Sequence, residues 1–294
     1  MNQTFDTGRW WLLVGKHWSE NRKKYTLSLV AMAGLLLLWF SVILVSDRRS
    51  LITEIQINTY YFGLFVVGCL YASMLFADLG SKTRGLNYLV VPASHLEKLF
   101  AALFYSVIVF FVCYTAIFYS VDIIMVKIGN SLMYSHWLKT HTPGDVFVPQ
   151  EVFNVFTSPE LRRGEPGFIY YLLLFYFVLQ SVFVLGSVYF AKFSFIKTVI
   201  SALLVALVIT FLTAKLIVPI LPPGNYHNGI NSYEVYTVKN TASGDGVMIY
   251  SDSTTDKLVS LPEWVNTVLL FLLKYAFAPL FWLATYYRLK EKEI

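Results

Sequence analysis

The sequence predicts an all-α polytopic membrane protein with six transmembrane helices. Three observations carry this reading. Of 294 residues, 56% are hydrophobic and only 14% are charged, against about 25% charged in an ordinary soluble domain. The charges gather between long apolar runs instead of spreading along the chain. Those runs are about twenty residues long, the length a helix needs to cross the hydrocarbon of a bilayer. The formal charge of +5 gives no nucleic-acid signal, because the basic residues flank apolar runs and form no single stripe.

Residues 1–24 precede the first apolar run. Trp10, Trp11, Leu13, Val14 and Trp18 share one side of a helical wheel, and Arg9, Lys16, Ser19, Glu20 and Lys23 share the other. An aromatic face opposite a basic one predicts an amphipathic helix lying in the membrane interface. The first span is expected over Tyr25–Val45, ended by Asp47, Arg48 and Arg49. The second is expected over Asn58–Ala77, and a polar loop, Asp78–Lys98, follows it. The third runs over Leu99–Val121 and is closed by Asp122. Residues 126–167 hold Pro143, Pro149, Pro159 and Pro166, which predicts an irregular external loop. Within it, Phe153, Val155, Phe156 and Leu161 are expected to pack as a short surface helix. Spans four and five are expected over Phe168–Ala191 and Thr198–Val218, separated by the brief turn Lys192–Lys197. Residues 224–263 form a second external loop. There Tyr233–Val238 and Val247–Tyr250 alternate in strand fashion around Ser243–Gly246, a turn signal that predicts a small hairpin. The sixth span is expected over Trp264–Tyr287, within the closing segment 264–294.

Orientation follows from the basic residues. Thirteen fall on the faces holding the N-terminus, the Asp78–Lys98 loop, the Lys192–Lys197 turn and the C-terminus, and eight are spread over the longer loops of the other face. Positive residues concentrate on the cytoplasmic side, so both termini are expected there. No cleavable signal is expected, because the first apolar run is too long for a signal core and lacks a small-residue cleavage site. Cys69 and Cys113 both fall inside apolar runs, as buried thiols do.

The loop after the second span has its own layout. Pro92 cannot continue a preceding helix, and Ser94 three residues before Glu97 reads as a capping box that opens the next helix. Read from spacing alone, the loop is either an ordinary polar connection or a built element. Asp78, Gly80, Ser81, Arg84, Leu89, Pro92 and Ser94 resemble the loop between the second and third membrane helices in the permease subunits of ABC-type exporters of the second export class, here of a Bacteroidetes-like kind. In that family the loop begins with an acidic residue, usually Glu where this chain has Asp78. The resemblance implies a membrane permease of the bacterial inner membrane, working as a homodimer or heterodimer with a separate ABC ATPase subunit and moving its substrate by alternating access. It also implies that Asp78, Gly80, Arg84, Leu89, Pro92, Ser94 and Glu97 form an ATPase-coupling loop, and that the chain begins with an interfacial helix carrying Trp10, Trp11 and Trp18.

Catalytic motifs are sought and not found. Gly80–Thr83 has a lysine and hydroxyls but lacks the glycine spacing of a phosphate-binding loop, so ATP hydrolysis is assigned to the separate subunit and the chain is not read as an enzyme. No metal-ligand spacing, cofactor motif or nucleophile elbow occurs, and His136 and His141 stand in an external loop without acidic or thiol neighbours in sequence. Partners are expected to be the ATPase, membrane lipid and a second permease. Lys274 should lie near the middle of the sixth span, at a depth similar to Gln180 in the fourth. A lysine there costs a few kcal/mol unless it meets protein or water. It either snorkels outward or is satisfied by Gln180 and tyrosines, or it lines a cavity with Gln180, as a cation for an anionic substrate or a gating contact. A second reading of the whole chain is a membrane scaffold or sensor that binds a partner through its external loops. A membrane enzyme is the third.

Overall fold

The computed structural model describes residues 5–47, 51–80, 85, 91–140, 146–155, 168–212, 215, 224–225, 232–235, 257–260, 268 and 271–292. The chain divides into two units. Residues 1–198 with 278–294 form the first, and residues 199–277 form the second. Helix α1 is Thr7–Asp47 and α2 is Thr53–Met74. A 3-10 turn, Ala77–Gly80, follows. Helix α3 is one continuous rod, His95–Thr140, with a π-helical stretch at Phe104–Val109. Helix α4 is Phe168–Tyr189, α5 is Ser194–Leu212, and α6 is Phe277–Glu291, preceded by a π-helical turn at Leu272–Ala276. Among the described residues, the five helices α1 to α5 are long and apolar enough to cross a membrane. The expected sixth span lies only partly within the described residues.

The first unit is built on two long helices side by side. Helix α1 has 41 residues, about 60 Å at 1.5 Å per residue, twice the thickness of a bilayer's hydrocarbon. A separate interfacial helix that stops before Tyr25 is therefore not what forms. The reason lies in one inward stripe, Trp10, Val14, His17, Asn21, Tyr25, Leu29, Met32, Leu36, Phe40 and Leu44. Its three- and four-residue steps pass unbroken through the basic cluster, because Arg22, Lys23 and Lys24 all point outward and exposed. Contacts along α3 rise in the same order. Arg9 meets Glu97, Val14 meets Tyr105, Phe40 meets Phe118, and Leu44 seats on Gly129. So α1 and α3 run parallel.

Helix α3 also passes the place where the sequence predicts its end. Asp122 does not cap it. The carboxylate is buried within the stripe Phe110, Tyr114, Phe118, Val121, Asp122, Met125, Val126 and Gly129, and the helix runs on to Thr140. The first part of the expected irregular loop is thus helical.

Helix α2 presents Gln56, Tyr60, Leu64, Gly68 and Ala72 at four-residue steps to the interior. It lies parallel to α4, with the Phe65 and Phe175 rings 5.4 Å apart. Aromatic rings fill the centre, where Tyr60, Tyr114, Phe118 and Phe153 are nearly or wholly buried. Between helices in lipid, such packing is driven by dispersion and close approach, since the tails are as apolar as leucine. Gly186 shows the approach at its tightest. A Cβ there would stand 1.9 Å from Thr198 Oγ1, so the turn from α4 to α5 needs a bare backbone at this position. Phe193, in that turn, takes a left-handed φ of 54°, a strained choice for an aromatic residue.

Residues 146–155 form an extended strap. Phe153 and Val155 are buried in the aromatic core, as their hydrophobicity suggests, yet they lie on no helix; Phe156 and Leu161 fall outside the described residues. In the second unit, β1 (Gly224–Asn225), β2 (Ser232–Val235) and β3 (Lys257–Ser260) form a small antiparallel sheet in the order β1-β2-β3. The expected strand at Tyr233 is present in part, over Ser232–Val235. Tyr233 sits opposite Val259, whereas Val247–Tyr250 and the Ser243–Gly246 turn lie outside the described residues.

Candidate functional site

One end of the first unit is a junction made by a single side chain. Ser94 opens α3 as its N-cap. Glu97 N donates to Ser94 Oγ at 3.2 Å, and Glu97 Oε2 accepts from Ser94 N at 2.8 Å, the reciprocal box that the spacing predicts. The other carboxylate oxygen reaches outside its own helix. Oε1 accepts from Asp6 N at 2.8 Å and from Arg9 Nη2 at 3.0 Å. Asp6 in turn caps α1, accepting from Gly8 N at 2.7 Å. The Glu97 side chain is fully buried and Arg9 is about one-third exposed. One carboxylate therefore closes the first turn of α3 and ties it to the first turn of α1. A negative charge is favoured at both helix N-termini.

Further chain ends gather here. The His95 and Tyr286 rings lie 6.3 Å apart. Lys292 Nζ donates to the Val188 carbonyl at the end of α4 at 2.5 Å, supplying a partner that the helix itself cannot. Burial, then the neighbouring Arg288, pushes the Lys292 ammonium below the usual lysine range. Arg288 lies 4.8 Å from the Tyr189 ring centre. The starts of α1 and α3 and the ends of α4 and α6 thus share one end of the unit.

The residues expected to form the coupling loop are described unevenly. Pro92 is exposed just before the box. Asp78 and Gly80 belong to the 3-10 turn that follows α2. Arg84 and Leu89 lie outside the described residues. Of the three tryptophans, only Trp10 turns inward, where its ring meets Phe104 edge-on at 5.6 Å; Trp11 and Trp18 are exposed on the other side. The expected common face is therefore split, because the inward stripe takes Trp10 and Val14 and leaves Trp11 and Trp18 outside it.

Deeper in, α1, α3 and α4 meet at the π-helical stretch. An inserted residue there disturbs the regular backbone ladder of α3. Tyr176 Oη, from α4, donates to the carbonyls of Ser106 and Val107 at 3.2 and 3.3 Å. Tyr105 Oη donates to the Val14 carbonyl at 2.8 Å. No sequence motif marks this stretch, and the missed signal is a buried serine beside two aromatics, Phe104-Tyr105-Ser106.

At the opposite end, side-chain amides stitch the strap to the helices. Gln56 Nε2 donates to the carbonyls of Leu51 and Glu151, and Gln56 Oε1 accepts from Phe153 N at 2.7 Å. Asn130 exchanges two bonds of 2.9 Å with the backbone of Gln150. Val155 N donates to Tyr119 Oη at 2.8 Å. An amide side chain offers a donor and an acceptor together, so it substitutes for a strand neighbour that the strap lacks.

Other buried polar groups find no such partners among the described residues. Gln180 is 1% exposed and Asp122 is wholly buried, and among the described residues neither the amide atoms of Gln180 nor the carboxylate oxygens of Asp122 meet a hydrogen-bond partner. Gln180 lies flat against α2 because Gly68 leaves room; a Cβ at Gly68 would stand 2.5 Å from Gln180 Nε2. Lys274 belongs to the second unit, half-buried on the π-helical turn Leu272–Ala276. Among the described residues, no three metal-ligating side chains gather. No family model, curated protein or solved structure matches the chain.

Proposed function

We propose that this chain is the membrane-spanning permease subunit of an ATP-driven exporter, paired with a second permease and served by a separate ATPase in the cytoplasm. The observation that carries the reading is the Glu97 junction. A separate motor must pass work through a cytoplasmic surface of the permease. The return of the Asp78–Lys98 loop ends on Glu97, and Glu97 grips the start of α1. Displacement of the loop exit would therefore reach two long parallel helices together. Interfaces of this kind carry motion as shifts between packed states.

The arrangement of helix ends supports six crossings with both termini on one side. Helix α3 starts where α6 ends, and α4 ends beside Lys292. The basic residues assign that side to the cytoplasm, in the inner membrane of a bacterium by the family resemblance. Gln180, and Lys274 in the other unit, are then polar groups within spans, the class of residue that marks a substrate path or gate.

The test is purification of the C-terminally tagged chain from its native membranes in mild detergent. An ABC ATPase should come with it, and ATP hydrolysis should be sensitive to Arg84→Glu and Leu89→Asp in the loop while membrane insertion is unchanged. A chain that purifies without a nucleotide hydrolase, or whose ATPase ignores both substitutions, overturns the assigned coupling role. Retention instead of a partner bound to the external loops would favour a scaffold or sensor.

A further inference from the structure

We propose that the far end of α3 binds one anionic phospholipid, with its headgroup on Lys139 and His136 and the upper part of an acyl chain on Leu44, Leu132 and Met133. A groove of about 280 Å³ lies there between the end of α1 and the last turns of α3. Gly129, Leu132, Met133 and His136 recur at helical spacing, so one face of α3 carries both the apolar floor and the basic rim. Leu44 closes the floor by seating on Gly129, where an added Cβ would stand 3.1 Å from Leu44 Cδ2.

The depth of the groove comes from the end of α1 and an aromatic cluster on α3. The apolar run of α1 ends at Val45, one residue past Leu44. Just beyond, Tyr134 packs with Trp137 and Phe147, at 6.2 and 5.3 Å. Amphipathic rings collect at the headgroup level of a bilayer. From Gly129 to Tyr134 is five residues, about 8 Å of helix, roughly the thickness of one headgroup region. The floor of the groove therefore meets the hydrocarbon edge. Side chains on a helix tilt toward its N-terminus, so Lys139 and His136 lean back toward the phosphates.

Charge decides the occupant. Among the described residues that line the groove there is no carboxylate, and the Lys139 ammonium and the His136 imidazole, which can donate a hydrogen bond, stand over an apolar floor. Pockets for complete small molecules run from about 300 to 1,000 Å³, so this one suits part of a lipid whose remainder stays in the bilayer. The inference needs the chain to cross a membrane and does not depend on ATP-driven export.

Native mass spectrometry of the detergent-solubilised chain, titrated with phosphatidylglycerol, phosphatidylcholine or inorganic phosphate, tests it. Phosphatidylglycerol should remain bound after phosphatidylcholine has left, with Lys139→Glu weakening its retention by about tenfold and Lys139→Arg preserving it. Leu132→Trp, which fills the floor and leaves the charge alone, should also reduce it. Equal retention of the two lipids would mean an unselective lipid shell. Displacement of phosphatidylglycerol by inorganic phosphate would mean a site for free anions. Indifference to both Lys139→Glu and Leu132→Trp would place the lipid elsewhere. Each of these three results overturns the proposal, and a transport assay has no part in any of them.

Discussion

The chain buries two carboxylates on the same helix and treats them in opposite ways. Glu97, at the start of α3, accepts from two backbone amides and a guanidinium. Asp122, about seven turns further on, accepts from none of the described residues. Two amides repeat the contrast. Gln56 makes three bonds to the strap and to the end of the α1–α2 connection, and Gln180 makes none to the described residues. Functional group and solvent accessibility are matched within each pair, and the difference lies in what the neighbouring backbone offers. Helix starts and an extended strap present free N–H and C=O groups, whereas a helix interior has already spent them on its own ladder. Glu97 and Gln56, at the ends of this molecule, help hold it together, and Asp122 and Gln180, in its middle, are carried at a cost.

The largest test of that contrast is Glu97→Ala. It leaves Arg9, Asp6 N and Ser94 N without their shared acceptor. Losing hydrogen bonds to a buried charge should destabilise the chain by about 2–3 kcal/mol, read as a lower thermal midpoint in detergent. Arg9→Leu should lower it too, and the double variant should fall short of the sum, because the two residues share one network. Strict additivity would show that the junction is not a unit. Next in size comes Gln56→Leu, which frees Phe153 N and two carbonyls. A loss of about 2 kcal/mol is expected, together with faster amide hydrogen exchange at Phe153 and no change at Glu97. Exchange at Phe153 that stays slow would mean that packing alone holds the strap.

These two sites differ in how far the sequence reveals them. The Ser94–Glu97 box is local, with donor and acceptor three residues apart, so its spacing exposes it before any fold is known. The further reach to Arg9 is not readable, since it needs α1 and α3 to be parallel and adjacent. Gln56 is illegible for the same reason, as its partners lie 95 and 97 residues away. The continuity of α1 was in principle visible. The stripe from Trp10 to Leu44 never breaks, but the charge cluster Arg22-Lys23-Lys24 reads as a boundary when the residues are counted by composition instead of by face. The run of α3 past Asp122 hides in the opposite way: a buried acid within an apolar stripe looks like the end of that stripe. Apolar length predicts the five long helices α1 to α5, because lipid leaves the backbone no alternative to helix. It says little about where a helix stops once it has left the lipid.

Asp122→Leu is the mirror of Glu97→Ala. Replacing an unpartnered buried carboxylate with an apolar side chain of similar size should raise the thermal midpoint, by the equivalent of about 1–2 kcal/mol. A fall in the midpoint as large as that of Glu97→Ala would mean that Asp122 has a partner after all, and the contrast between the two carboxylates would be lost.

The smallest effect, and the most discriminating, is at Gln180. Gln180→Leu removes an amide that meets no donor or acceptor among the described residues, so stability should hold or rise by about 1 kcal/mol. Hydrogen bonds between membrane helices average only about 0.6 kcal/mol, so the midpoint alone is a narrow margin, and a cycle with Gly68 widens it. Gly68→Ala in the native chain drives its new methyl against Gln180 Nε2, 2.5 Å from the ideal Cβ, and to within 3.1 Å of the Phe110 ring. The amide end is flexible and has no hydrogen bond to lose, so it should swing aside at a cost of about 1 kcal/mol. On a Gln180→Ala background the amide is gone and most of that cost should vanish, leaving only the contact with Phe110. Were Gly68→Ala equally costly on both backgrounds, Gln180 would not be the group that rests on Gly68. Were Gln180→Leu as damaging as Gln56→Leu, the amide would be bonded within its span. Either result would remove the distinction between the ends of this molecule and its middle.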